Sequence, residues 1–143
     1  MSVHQLSIFL ENRAGQLAEI ARLLAQNNIN MRALNIAETK DYGVLRLIVD
    51  DVYAASTVLK DAGYVHTLTP VVGVMIPDTP GGLNKVLQVL AESGANVEYM
   101  YAFLGGKRGQ AYMIFRVTNT EIAEKALVER GLKSLTLEEI EET

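Results

Sequence analysis

The chain has 143 residues, 49% of them apolar and 21% charged, which leaves room for one ordinary domain or two very small ones and is too apolar for a disordered chain. Thirteen Lys and Arg against seventeen Asp and Glu give a net charge of −4, the wrong sign for a chain whose main task is gripping phosphate backbones. The absence of cysteine excludes a disulfide framework, a thiolate nucleophile and cysteine-ligated metals, and no segment reads as an export signal or membrane span, so a cytoplasmic protein is expected.

Val3–Leu10 is a short run of Val, Ile, Leu and Phe that stops before Asn12 and reads as a strand. Leu17, Ile20, Ala21 and Leu24 then form the apolar stripe of an amphipathic helix, which Asn27–Asn28 stop. Two strand-like runs follow, Asn30–Ala37 and Tyr42–Asp50, with Glu38–Asp41 between them as a hairpin turn. Ala55, Val58, Leu59 and Ala62 mark a second helix that Gly63 ends, and Tyr64–Leu68 a closing strand. Beyond a linker of Thr69 and Pro70, the series starts again at Val71–Ile76. A helix carries Leu83, Val86, Leu87 and Leu90 and ends at Gly94; the runs Asn96–Leu104 and Gln110–Val117 flank a turn at Gly105–Gly109. A helix with Ala123, Ala126 and Leu127 ends at Gly131, and Leu132–Leu137 is the last strand, leaving the acidic Glu138–Thr143 as a solvated end.

This is an internal repeat. Gly15, Leu17, Ile20, Leu24 and Asn30 face Gly81, Leu83, Val86, Leu90 and Asn96 at an offset of 66, which becomes 68 by Val49 and Val117. The fold class is therefore α+β: two ferredoxin-like βαββαβ repeats, each an antiparallel sheet with its helices on one face, occupying residues 1–69 and 70–143. Halves this small are marginal alone, so they are expected to pack together and the chain to form a homodimer.

The candidate site is the strand-to-helix turn, Asn12-Arg13-Ala14-Gly15-Gln16 in the first copy and Asp78-Thr79-Pro80-Gly81-Gly82 in the second. A helix N-terminus offers unsatisfied N–H groups and a partial positive charge to a carboxylate, and glycine lets a ligand come close. Asn12 and Asp78 at its mouth suit the polar head of a free amino acid, though the same residues also suit helix caps, with Pro80 in the first turn. Leu10-Glu11-Asn12-Arg13-Ala14-Gly15-Gln16-Leu17, followed by Asn28-Ile29-Asn30-Met31, resembles the ACT domain, an amino-acid-sensing module attached to many biosynthetic enzymes. It is especially similar to the serine-sensing ACT domain of phosphoglycerate dehydrogenase, except that Leu10 stands where that domain carries a His. The resemblance implies ligand contacts at Asn12, Gly15 and Asn30, with Gly81 and Asn96 matching them in the second copy and Asp78 replacing the first Asn. It also implies a free-standing amino-acid sensor without a catalytic domain, its ligand held between ACT-like domains.

Other signals point elsewhere and are weaker. Arg108-Gly109-Gln110-Ala111-Tyr112-Met113-Ile114-Phe115 approximates the RNP1 signature of RNA-binding sheets, but Gln110 replaces a stacking aromatic, so Tyr112 and Phe115 read as sheet residues and no nucleic-acid partner is expected. Gly105-Gly106-Lys107-Arg108-Gly109 has no Ser or Thr after its Lys, as a phosphate loop needs, and reads as a turn. His4 and His66 lie far apart in sequence, and no acid, base or nucleophile can be assembled, so neither metal, cofactor nor catalysis is expected. Tyr99, Tyr101 and Phe103 alternate along one strand and should share a face that packs on the helices or on another subunit. The alternative to a sensor is an assembly subunit whose surfaces bind only protein.

Overall fold

A computed structural model describes residues 3–11, 13–38, 41–103 and 108–142. The chain divides into two compact units, one spanning His4–Thr69 and the other built from Pro70 onward.

The first unit contains β1 (Val3–Glu11), α1 (Gln16–Gln26), β2 (Met31–Glu38), β3 (Tyr42–Val49), α2 (Val52–Asp61) and the opening residues of β4 (His66–Pro77). Its strand order is β2-β3-β1-β4, with β3 antiparallel to both β2 and β1. Register pairs Leu6 with Leu47 and Glu11 with Tyr42, and the Phe9 N–H donates to the Val65 carbonyl at 3.0 Å. Alternation along the strands puts Leu6, Ile8, Leu10, Leu45, Leu47 and Val49 on one face, where they meet Ile20 and Leu24 of α1 and Ala55 and Leu59 of α2. Asp51 starts α2 by accepting the Ala54 N–H at 3.1 Å, a cap that satisfies one of the helix's orphan donors.

The second unit repeats the scheme with the rest of β4, α3 (Gly82–Ser93), β5 (Val97–Ala102), β6 (Gln110–Val117), α4 (Thr120–Glu129) and α5 (Leu137–Glu142), in the strand order β4-β6-β5. Val72, Val74, Ile76, Phe115 and Val117 face Val86, Val89 and Leu90 of α3 and Ala123 and Leu127 of α4. Asn119 caps α4 through the Ile122 N–H at 3.1 Å, as Asp51 caps α2.

The structure corrects the sequence reading in four places. Tyr64–Leu68 and Val71–Ile76 are not separate strands joined by a linker, because β4 runs unbroken from His66 to Pro77. Pro70 fits there since its fixed φ is extended; its carbonyl accepts from Arg116 Nη1 at 2.9 Å, while Thr69 Oγ1 pairs with Ser7 Oγ at 2.9 Å. The expected strand Leu132–Leu137 contracts to a single bridge between Ser134 and Val74, flanked by Leu135 N–H to Gly73 O at 2.7 Å and Met75 N–H to Lys133 O at 3.1 Å. Beyond it the acidic tail is helical, not a loose solvated end. Thr136 Oγ1 accepts the Glu139 N–H at 3.2 Å, Lys133 pairs with Glu139 at 3.4 Å, and Ile140 is 2% exposed. Finally, Tyr101 pairs with Ile114, which alternates with the core residue Phe115, so Tyr101 and Phe103 are buried on the face away from the helices. The Phe103 and Tyr112 rings there lie 5.8 Å apart at 52°. Of the second hairpin turn, Gly105, Gly106 and Lys107 lie outside the described residues.

Burial of Ile140 makes the tail part of the folded structure. Ile140→Ala should cost about 2–5 kcal/mol in denaturant unfolding. A change below about 0.5 kcal/mol, the usual surface value, would return the tail to solvent.

Candidate functional site

The strand-to-helix turns differ from the other helix starts in one respect: neither α1 nor α3 carries a side-chain cap. Their N-cap positions are Gly15 at φ 85° and Gly81 at φ 89°, a left-handed conformation that side chains rarely adopt and that turns the chain directly from strand into helix. Asp78 therefore does not cap α3; its backbone N–H donates to Gly109 O at 3.0 Å. Pro80 precedes α3 rather than lying in its first turn. Asn12, the corresponding candidate in the first copy, lies outside the described residues.

Arg13, Ala14 and Gly15 are exposed, as are Thr79, Pro80 and Gly81. Asn30 and Asn96 are exposed at the entries to β2 and β5, where their N–H groups bond to Asp50 Oδ1 at 3.0 Å and Thr118 Oγ1 at 3.1 Å. Neither unit brings its asparagine to its own turn. Glu11 pairs with Tyr42 at one end of the first sheet and Met31 with Val49 at the other, about 24 Å apart for seven strand residues, and Pro77–Gln110 and Val97–Val117 repeat this in the second.

The two turns part company at the first helical residue. In the second copy this is Gly82, where a Cβ would collide with the Pro77 carbonyl oxygen, so the backbone closes on itself. In the first copy it is Gln16, only 8% exposed, whose Oε1 is buried without a hydrogen-bond partner among the described residues. Gln16 lines two cavities. One of about 140 Å³ opens toward Leu17, Ile36 and Gly43; the other, of about 480 Å³, lies between the start of α1 and the turn that joins α2 to β4.

Polar and apolar residues line the larger cavity together. Tyr64 donates to Glu19 Oε1 at 2.5 Å, tying α1 to the α2–β4 turn, while Arg13 Nε lies 3.3 Å from Glu11 Oε2. Burial, then the bond to Glu19, raises the Tyr64 phenol above the ordinary 10.0, against an opposing hydrogen bond from the Gln16 amide. Phe9, Tyr42 and Val65 also line the cavity and are exposed. Sequence reasoning selected Arg13 and Gln16 here but missed Glu19 and Tyr64. The signal was available in the repeat, since offsets of 66 and 68 set Glu19 against Lys85 and Tyr64 against Leu132.

The RNP1-like strand offers nothing to a base: Phe115 is fully buried in the second core and Tyr112 is 6% exposed. Among the described residues no three His, Cys, Asp or Glu side chains gather as a metal site requires, and no helix is long and apolar enough to cross a membrane.

Two βαββαβ units in tandem, each with an uncapped glycine turn leading into its first helix, define a pair of small ferredoxin-like domains of the ACT type. The chain belongs to the ACT domain pair family, whose profile matches residues 1–143. A Bacteroides thetaiotaomicron protein of known crystal structure is 39% identical, with a TM-score of 0.93 over 100% of this chain and 98% of that one. The regulatory subunit of aspartate kinase from Thermus thermophilus, in its ligand-free form, is 19% identical with a TM-score of 0.68, covering 90% and 93% of the two chains. That from Thermus flavus is 20% identical with a TM-score of 0.57 over the same shares. At those identities the likeness is one of fold. No curated protein matches the sequence.

Two outcomes follow from Gln16 and Tyr64. A buried acceptor without a partner costs about 1–3 kcal/mol and the amide's hydrogen bond to Tyr64 returns about 1, so Gln16→Met, which removes both, should leave the ligand-free protein as stable as the parent or up to about 2 kcal/mol more stable in denaturant unfolding; a clear loss would mean that the oxygen is solvated. Glu19→Gln should move the Tyr64 titration, followed by NMR of its ring carbon, down toward the ordinary value. Because the folded phenol titrates above the unfolded one, its contribution to stability is complete below pH 10.0 and is lost as pH rises through the raised value. An unmoved titration in the variant would leave burial as the whole cause.

Proposed function

We propose that this chain is a non-catalytic regulatory protein that senses an amino acid through its ACT domains. The observation that carries the reading is the cavity of about 480 Å³ beside an uncapped helix start, lined by Arg13, Gln16, Glu19 and Tyr64 and large enough for a small molecule. In this reading the ligand meets the turn backbone at Arg13–Gln16, or in the second copy at Thr79–Gly82. Asn12, Asn30, Asp78 and Asn96 orient its polar head. Since no unit offers both its turn and its asparagine to one small molecule, a ligand that meets both kinds of residue takes the asparagine from a second copy of the chain.

The mechanism is a population shift. A ligand that binds one arrangement of the protein better than another favours that arrangement, and a partner protein or a second copy of the chain reads it.

A thermal-shift panel of the purified chain against the twenty amino acids at millimolar concentration tests this. At about 100 times its Kd a ligand should add roughly 2.7 kcal/mol, worth several degrees in a chain of this size. A folded protein that shifts with none of the twenty would favour the assembly-subunit reading instead.

A further inference from the structure

Resting on the amino-acid-binding reading, we infer that ligand binds only the first of the two repeats, in the 480 Å³ cavity beneath Tyr64, and that it is an α-amino acid with a large apolar, preferably aromatic, side chain. The repeat itself is the argument for one site. Arg13, Gln16, Glu19 and Tyr64 bring a cation, an amide, a carboxylate and a phenol to the cavity; their counterparts are Thr79, Gly82, Lys85 and Leu132. Three of those exchanges remove or reverse a polar function, and the fourth, Arg13 against Thr79, removes the charge. Leu132 packs against the second hydrophobic core, and the backbone at Gly82 leaves no space for a side chain. The second copy keeps the turn and loses the chemistry.

The first copy's chemistry matches a zwitterion. The Glu19 carboxylate is an acceptor on the cavity wall and suits an ammonium group, while the Arg13 guanidinium, half exposed beside Glu11, suits a carboxylate. Among the lining residues, Phe9 is 49%, Tyr42 51% and Val65 67% exposed. Aromatic and branched apolar groups left in water gain by covering one another, so a ligand side chain that spreads over them binds better than a short or charged one. Glu11 and Glu19 further disfavour an acidic side chain.

Isothermal titration of the full chain with phenylalanine, serine, aspartate and lysine tests this, with Gln16→Met and Tyr64→Leu as variants whose folding is checked by circular dichroism. Phenylalanine should bind at one per chain, the other three at least tenfold more weakly, and each folded variant should lose at least tenfold in affinity for phenylalanine. Gln16→Met should do so while melting no lower than the parent, a combination that general damage does not produce. Two molecules per chain, or serine, aspartate or lysine binding as tightly as phenylalanine, would overturn the inference and leave amino-acid sensing standing, as would full affinity in Gln16→Met. Should none of the twenty amino acids bind, the functional reading falls with it.

Discussion

A helix that must reverse off the end of a strand and lie back along the same sheet needs one residue at the corner with positive φ. Gly15 and Gly81 supply it, and much of the rest follows. Placing the N-cap at a glycine removes the side chain that would have satisfied the first helical N–H groups, in contrast to α2 and α4, where Asp51 and Asn119 perform that task. The corner also fixes the direction of the helix. Ile20 and Leu24 then fall on Leu6, Ile8 and Leu10, and Val86 and Leu90 fall on Val72, Val74 and Ile76. The same geometry leaves the next residue facing inward, toward the strand that it has just left. A glycine there closes the backbone on Pro77; a glutamine carries a polar amide into a buried place.

That single position accounts for the divergence of the copies. With Gln16 in place, its neighbours become a polar set, Glu19 one turn on and Tyr64 across from it, and the phenol bridges α1 to the α2–β4 turn. With Gly82 in place, nothing requires polar neighbours. Leu132 packs on the second core as Tyr64 packs on the first, but without a hydroxyl to place. A repeat whose two copies were selected for packing alone would be expected to diverge at exposed positions and agree inside. Here the sheet and helix stripes agree, and the marked disagreement is at an inward-facing polar residue, which is where selection for a ligand in one copy would leave its trace.

Much of the fold was legible because it rests on periodicity. The stripes Leu17, Ile20, Leu24 and Leu83, Val86, Leu90 and the alternating strands carried the βαββαβ order, and the repeat supplied a second reading of each element. Pro70 misled, since a proline between apolar runs suggests a break, yet in extended chain whose N–H is not needed it interrupts nothing. Ser134 misled for the opposite reason: Leu132–Leu137 has the composition of a strand, but only one bridge forms before Thr136 opens α5. The polar end of the chain hid a short amphipathic helix because Ile140 alone anchors it, too small a signal for a periodicity argument.

The site was half legible for a related reason. Local pattern finds the turn, because Gly15 and its flanks are consecutive in sequence, but Tyr64 comes from the far end of α2, 45 residues from Glu19. Only the comparison of one copy with the other selects it from sequence, by asking where polar residues in the first repeat lose their counterparts in the second. In a tandem repeat, the shared pattern reports how the chain folds, and the positions that break the pattern toward polarity are where the proposed ligand site is sought. Gln16, Glu19 and Tyr64 break it together and meet at one cavity. Three such breaks that converge in space are a stronger argument for a ligand than the glycine turn, which both copies keep and which the fold needs in either case.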